Sequence, residues 1–154
     1  MKCLGLAKKI AIVSGFGESD NSKINAFDNA LIDAEIHDCN LIKVSSILAK
    51  GTKIVSKFKI DKGSFVPAVI SSAYGKQGDT ICSGLQIAFN NEKYGYVFEA
   101  QGKSPLEVET QLNSCTEEMS QKRGQKVITR KTITKQATVN KKYGCCITTV
   151  VYLF

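Results

Sequence analysis

Two adjacent serines, Ser45 and Ser46, are the residues whose type and position are of most chemical interest in this chain of 154 residues. They lie in the segment 40–47 (NLIKVSSI), in which the neighbouring side chains are largely apolar. On pattern alone, two hydroxyls at the end of a strand point to opposite faces and form local hydrogen bonds. The pair by itself therefore predicts no reaction.

The other reactive side chains form no recognisable site. His37 is the only histidine, and the six cysteines contain no C-x-x-C pair; they are Cys3, Cys39, Cys82, Cys115, Cys145 and Cys146. A zinc site needs several thiolate or imidazole ligands, usually at short paired spacings. We therefore expect no metal site, and we expect the cysteines to be buried, reduced thiols that act as small hydrophobic residues.

Many strands and two helices are predicted to position these residues. Apolar and alternating patterns predict strands at residues 9–14, 40–48, 52–60, 64–73, 80–89, 94–100, 127–130 and 143–154. The first strand is expected to end at Gly15-Phe16-Gly17, which resembles a dinucleotide-binding loop but has Asp20 where that motif needs a third glycine. This balance predicts an α+β fold, an αββα sandwich of mainly antiparallel sheets with helices on the outside.

The two helices have clear sequence signals. Residues 25–37 are predicted to be helical, with an apolar face formed by Ile24, Phe27, Ala30, Leu31 and Ala34. The second helix begins with the capping box Ser104-Pro105-Leu106-Glu107 and is expected to stop at Gly124. Its predicted buried face consists of Val108, Leu112, Cys115 and Met119.

Composition excludes several classes of protein. With 43% hydrophobic and 23% charged residues, the chain is expected to form one globular domain over residues 1–154. No apolar stretch approaches the ~18 residues of a membrane span, and the N-terminal apolar stretch is too short for a signal peptide, so a cytoplasmic location is expected. The net charge is +7, and no acidic residue follows Glu118. Because the basic residues alternate with apolar ones and lack interleaved aromatics, we expect a solvated strand face rather than a nucleic-acid site.

Six segments in colinear order resemble the pyruvoyl-dependent arginine decarboxylase family of archaea and some bacteria. They are residues 25–31 (NAFDNAL), 40–47 (NLIKVSSI), 63–67 (GSFVP), 78–81 (GDTI), 98–103 (FEAQGK) and 142–145 (KYGC). Each match is weak by itself, but their order and spacing together are specific. The resemblance extends over nearly the whole chain.

The resemblance implies a proenzyme that cuts itself between Ser45 and Ser46, into a beta chain of residues 1–45 and an alpha chain of residues 46–154. Ser46 would become a covalent pyruvoyl group, so neither a metal nor pyridoxal phosphate is expected. A Schiff base between this group and the substrate amine would then allow L-arginine to be converted to agmatine and CO2. The segment 48–51 (LAKG) lacks the prolines expected from archaeal relatives.

The resemblance also assigns roles to four other residues. Glu99 matches the residue that protonates the α-carbon, and apolar neighbours would favour its proton-bearing form; without the resemblance it is an exposed glutamate at a strand end. Asp28 matches the partner of the substrate guanidinium, and Leu31 matches a residue beside its aliphatic chain; otherwise they are a helix-surface aspartate and a core leucine. Asn40 matches an active-site asparagine, yet a straight strand would put it ~20 Å from Ser46.

Asn40 could take part in the active site in two ways. Either the chain turns sharply between Asn40 and Ser46, or Asn40 contributes to the active site of a neighbouring subunit. The family resemblance implies a homo-oligomer, a trimer or dimer of trimers, with active sites at subunit interfaces. The alternatives are the same chemistry on another amino acid, and a non-cleaving paralogue that acts as an oligomeric scaffold. Polyamine synthesis and acid resistance are both open as uses of the reaction.

Overall fold

Strands make up most of the computed structural model, which describes residues 5–154. The helices are α1 (Lys23–Asp33) and α2 (Pro105–Arg123). The strands are β1 (Lys9–Ser19), β2 (Asn40–Lys43), β3 (Ile47–Leu48), β4 (Lys53–Val55), β5 (Phe65–Lys76), β6 (Thr80–Asn90), β7 (Gly95–Gly102), β8 (Val127–Thr138) and β9 (Tyr143–Leu153).

The strands form two sheets. One has the order β2-β5-β9-β1-β4, and the other has the order β3-β7-β6-β8. Most neighbouring strands are antiparallel, and the two pairs β1–β4 and β2–β5 are parallel. The predicted α+β sandwich is confirmed.

Alternation along the strands creates three apolar layers. On β9, Cys145 and Ile147 face α1, whereas Val150 and Tyr152 lie in the cluster between the two sheets. On β7, Val97 faces this inter-sheet cluster, and Ala100 faces α2 together with Val108. Because successive side chains of a strand point to opposite faces, each sheet is covered on one face by a helix and on the other by the second sheet.

Helix α1 packs closely on β1, and this packing corrects the prediction that the first strand ends at Gly15. A β-carbon added to Gly15 would lie 2.2 Å from the Ala30 carbonyl oxygen, and one added to Gly17 would lie 2.2 Å from the Ala30 nitrogen. The two glycines therefore bring helix and strand backbones together. They do not terminate the strand, which continues to Ser19.

The predicted bounds and apolar face of α1 are also partly wrong. The helix begins after Ser22, whose side chain accepts a hydrogen bond from the Asn25 N–H, and it ends at Asp33. Glu35, with φ +59°, has the left-handed conformation that commonly ends a helix. Ile24 is 80% exposed, while Ala26 occupies the buried position.

Helix α2 begins and ends where the local signals predict. Ser104 accepts from the Glu107 N–H, and Gly124 closes the helix with φ +59°. One face residue is wrong, since Cys115 is exposed and Thr116 is buried with its hydroxyl bonded to the Gln86 side chain. A hydrogen-bonded threonine is thus the buried neighbour of the sheet at this turn.

Candidate functional site

The segment that carries Ser45 and Ser46 connects the two sheets. The predicted strand 40–48 is interrupted: β2 pairs with β5 in the five-stranded sheet, and β3 pairs with β7 in the four-stranded sheet. The peptide bond between Ser45 and Ser46 lies in the crossing between them. A straight strand is therefore ruled out here, and with it the straight-strand spacing between Asn40 and Ser46.

Ser46 has an unusual backbone. Its φ is +73°, in the left-handed region that costs an L-residue roughly 1–2 kcal/mol. On its N-terminal side, the Val44 N–H donates to the Ala68 carbonyl at 3.2 Å. On its C-terminal side, the Val97 N–H donates to the Ser46 carbonyl at 3.0 Å, and the Tyr152 hydroxyl donates to the Ile47 carbonyl at 3.2 Å. The strained residue is thus anchored on both sides, by β5 before it and by β7 and β9 after it.

A cavity of about 400 Å³ opens beside this segment. Ser45 is exposed and Ser46 is half-buried, and both line the cavity. The other lining residues are mostly apolar or aromatic and include Leu6, Ala7, Val44, Pro67, Tyr94, Tyr152 and Phe154. The space next to Ser46 is large enough for a small organic molecule with a largely apolar chain.

Glu99 lies close to this segment along β7. It is two residues from Val97 on the same face, a separation of about 7 Å along a strand, and Val97 is bonded to Ser46. The expected apolar surroundings are wrong, since the Glu99 side chain is 34% exposed and its Oε1 lies 2.8 Å from Lys43 Nζ. Lys43 is the last residue of β2, so this ion pair joins the edge strand β2 of the five-stranded sheet to β7 of the four-stranded sheet beside the serines.

Asn40 is held away from Ser46, at the start of β2. Its side-chain amide donates to the Gly63 carbonyl at 3.0 Å, and its backbone N–H donates to the Ser64 carbonyl at 2.8 Å. These bonds connect it to the loop before β5. No hydrogen bond within residues 5–154 joins Asn40 to the serines.

Asp28 and Leu31 lie on α1, which covers the outer face of the five-stranded sheet. Asp28 is exposed, and no hydrogen bond or ion pair within residues 5–154 joins it to the cavity beside Ser46. Leu31 is 9% exposed and packs in the cluster under α1 with Val66 and Ile147. The structure therefore brings Glu99 to the serines within one chain, and it does not bring Asp28 or Leu31 there.

The cysteines form no ligand cluster with their neighbours in the described part of the chain. Cys145 and Cys146 are fully buried free thiols, and burial raises the pKa of each to about 12. Cys82 is also buried, Cys115 is exposed, and Cys3 lies outside the described residues. Among residues 5–154, no group of three or more histidine, cysteine, aspartate or glutamate side chains is arranged to hold a metal ion. No helix in the same range is long and apolar enough to cross a bilayer.

Sequence reasoning missed two residues of the site, Lys43 and Tyr152. Lys43 lies three residues before Ser46, so the sequence shows that the two are close. Its ion-pair partner Glu99 is 56 positions away, and no local pattern links the two. Tyr152 contacts a residue 105 positions away and carried no local signal.

The chain is similar to one family of known proteins over most of its length. A family model described as pyruvoyl-dependent arginine decarboxylase matches residues 9–154. A pyruvoyl-dependent arginine decarboxylase of Methanothermobacter thermautotrophicus is 36% identical over 152 residues, which are 96% of this chain and 98% of that protein. The protein of the same name from Methanopyrus kandleri is 38% identical over 132 residues, with coverage of 85% and 86%. The one from Methanocaldococcus jannaschii is 32% identical over 148 residues, with coverage of 91% and 86%. The chain therefore belongs to the pyruvoyl-dependent arginine decarboxylase family, a family of carboxy-lyases.

Proposed function

We propose that this chain cleaves itself between Ser45 and Ser46 and then converts L-arginine to agmatine and CO2. The observation that carries the proposal is the backbone of Ser46, a serine with φ +73° anchored on both sides, by β5 before it and by β7 and β9 after it. Strain of this kind is concentrated at sites where the backbone takes part in chemistry. Family membership supplies the reaction class, and the relatives' names supply arginine as the substrate.

Self-cleavage would use only atoms of this chain and one water. The Ser46 hydroxyl attacks the Ser45 carbonyl carbon, the bond from that carbon to the Ser46 nitrogen breaks, and the nitrogen takes the proton. A base then takes the Ser46 α-proton, and the bond between the Ser46 β-carbon and its ester oxygen breaks. This step releases residues 1–45 with a terminal carboxylate that keeps the oxygen, and it leaves dehydroalanine at position 46. Water replaces the nitrogen of that residue, ammonia leaves, and the alpha chain begins with a pyruvoyl group.

The residues around Ser46 fit such a group. Conversion removes the nitrogen of residue 46, and with it the φ angle that is strained in the uncut chain. The hydrogen bond from the Val97 N–H to the carbonyl of residue 46 needs no change, and the adjacent cavity offers room for a substrate. Once present, the pyruvoyl supplies an electrophilic ketone and an electron sink for the loss of CO2.

Glu99 would deliver the proton to the α-carbon of the substrate, and Lys43 would fix the position of the Glu99 carboxyl. The ammonium of Lys43 lies 2.8 Å from the carboxyl and fixes its position beside the serines. After cleavage Lys43 would lie two residues from the new carboxyl terminus of the beta chain. The pair thus links the two products of cleavage.

Asp28 would bind the guanidinium of an arginine held in a neighbouring subunit's site, Leu31 would line its aliphatic part, and Asn40 would likewise serve a neighbouring site. Support comes from the large apolar side chains exposed at and beside the cavity, which a homo-oligomer would cover: Leu6 69%, Ile47 53%, Phe65 75% and Phe154 69% exposed. The homo-oligomer proposed is a trimer or a dimer of trimers.

A denaturing intact mass spectrum of freshly purified and of incubated protein tests the proposal. We expect two species, residues 1–45 and a pyruvoyl-bearing chain of residues 46–154, and one intact, inactive species from Ser46→Ala. Glu99→Gln should cleave but decarboxylate poorly, and Asp28→Ala should weaken arginine binding in particular. A wild-type chain that stays intact on long incubation would instead identify a non-cleaving scaffold, and cleavage without activity on arginine would indicate another amino acid.

A further inference from the structure

The anchors on the C-terminal side of Ser46 come from two different strands. The Val97 N–H belongs to the neighbouring strand β7, so its bond to the Ser46 carbonyl continues the β3–β7 ladder. The Tyr152 hydroxyl comes from β9 in the opposite sheet and reaches the Ile47 carbonyl at 3.2 Å. This side-chain bond is thus a direct tie between β3 and the five-stranded sheet.

Strain at Ser46 persists only while both sides of it are held. A free strand end would rotate to an ordinary φ and lose the left-handed conformation, because that conformation is unfavourable for serine. The N-terminal side is held by the Val44 N–H on the Ala68 carbonyl. The strand β3 on the C-terminal side has only two residues, so its own ladder is short and each additional bond matters.

Tyr152 is well suited to hold that side. The residue is 8% exposed, and its ring packs in the inter-sheet cluster with Ile10 and Val150, which restricts its rotamers. Burial raises its pKa to about 12, so the hydroxyl keeps the proton that it donates. Its hydroxyl contacts neither the Ser46 hydroxyl nor the Ser45 carbonyl; its partner is the next peptide along the chain.

We propose that Tyr152 is a positioning residue for self-cleavage. Its hydroxyl fixes the Ile47 peptide and thereby keeps Ser46 in the conformation from which its hydroxyl attacks the preceding carbonyl. The proposal rests on the proposed function, because it presupposes that the chain cuts itself. It concerns the uncut chain, so the effect that tests it is on the rate at which pyruvoyl is made.

Tyr152→Phe tests this with Tyr96→Phe as the matched control. Both tyrosines are 8% exposed, and each donates one hydrogen bond, Tyr96 to the Gln125 side chain at 2.7 Å. Each variant thus loses one buried hydroxyl and one bond, but only the Tyr152 hydroxyl is bonded to the cleavage segment. Tyr96 pairs with Ile47 through its backbone, which the change to phenylalanine leaves intact. The uncut chain is made by a short pulse of synthesis, and the intact fraction is followed with time by denaturing mass spectrometry.

We expect Tyr152→Phe to cleave roughly three- to tenfold more slowly than wild type, as loss of one hydrogen bond predicts. Tyr96→Phe should cleave within about twofold of wild type on the same scale. Decarboxylation per pyruvoyl is measured separately on the cleaved fraction of each variant, because the Tyr152 ring also lines the cavity beside Ser46. Thermal unfolding of both variants in a Ser46→Ala background compares their stabilities without cleavage.

Three outcomes would overturn the inference. Equal rates for Tyr152→Phe and wild type would show that the bond does not hold Ser46. Equal slowing in both variants would assign the effect to general stability, and a defect confined to turnover per pyruvoyl would move the role of Tyr152 away from cleavage. A wild-type chain that never cleaves would instead remove the proposed function itself, so the two failures are distinguishable.

Discussion

The strain at Ser46 can be measured without any cleavage by comparing Ser46→Ala with Ser46→Gly. Both variants lack the attacking hydroxyl and stay intact, so their difference in unfolding free energy reports the backbone alone. At φ +73° alanine bears the left-handed cost of about 1–2 kcal/mol, which glycine does not. The greater freedom of glycine in the unfolded chain offsets about 0.4–1 kcal/mol of this advantage.

The net expectation is that Ser46→Gly is more stable than Ser46→Ala by about 0.5–1 kcal/mol. For a domain of this size that difference raises the midpoint of thermal unfolding by about 1–4 °C. Differential scanning calorimetry at one protein concentration measures it. The concentration must be fixed because oligomerisation shifts the midpoint.

Lys93 supplies the calibration for this measurement. It lies in the exposed turn between β6 and β7 with φ +68°, so Lys93→Ala and Lys93→Gly repeat the same comparison away from the site. In both pairs the glycine variant should have the higher unfolding free energy. Strain at Ser46 is refuted if glycine is more stable than alanine at position 93 but equally or less stable than alanine at position 46. The fold would then not strain the cleavage residue.

Three further predictions follow from the packing and the charges. Gly17→Ala places a β-carbon 2.2 Å from the Ala30 nitrogen and 2.3 Å from the Ala26 carbonyl oxygen. The change should therefore destabilise the fold by about 1–3 kcal/mol, as measured by denaturant titration. An unchanged denaturation midpoint would contradict the close packing of α1 on β1. Lys43→Met should lower kcat with KM nearly unchanged. Because the Lys43 side chain is 67% exposed, the unfolding free energy of the variant should differ from that of the wild type by less than about 1 kcal/mol. The control Lys62→Met breaks an equally short exposed pair with Asp38 and should leave kcat unchanged; equal effects of the two changes would remove Lys43 from the site. Burial raises the pKa of Cys145 and of Cys146 from 9.0 to about 12 in the folded chain. Because the unfolded chain loses these protons near pH 9 and the folded chain keeps them, the free energy of unfolding should fall as pH rises from about 9 to 12. A denaturation midpoint that stays constant over that range would contradict the burial of the two thiols.

Short-range signals were enough to predict parts of this fold. Ser104, Pro105 and Gly124 bound α2 because capping involves only residues within a turn of the helix end. Periodicity likewise predicted most of the long strands, since the alternation of faces is a property of each strand by itself. For β8 it was only partly right, because the strand predicted over residues 127–130 extends to Thr138. The colinear segments that include residues 40–47 indicated the family, which the comparisons confirm.

Periodicity misassigned features that depend on what packs alongside. Glycines such as Gly15 and Gly17 are typical of the end of a strand. They lie inside β1 instead, because the backbone of α1 passes too close for a β-carbon at either position. Residues 40–48 have the pattern of one strand, yet the chain leaves one sheet and enters the other at Ser45 and Ser46. A local pattern carries no information about the neighbour that a strand will pair with.

The sequence by itself determined the class of fold, the bounds of α2 and, through its resemblance to a family, the serine at which chemistry is expected. Only the tertiary structure decided how that serine is held. The Lys43–Glu99 pair spans 56 positions and the Tyr152–Ile47 bond spans 105, so neither exists until the order of the strands brings the two sheets together. The strain at Ser46 has the same origin, because its two sides are anchored to sheets that meet only in the folded chain.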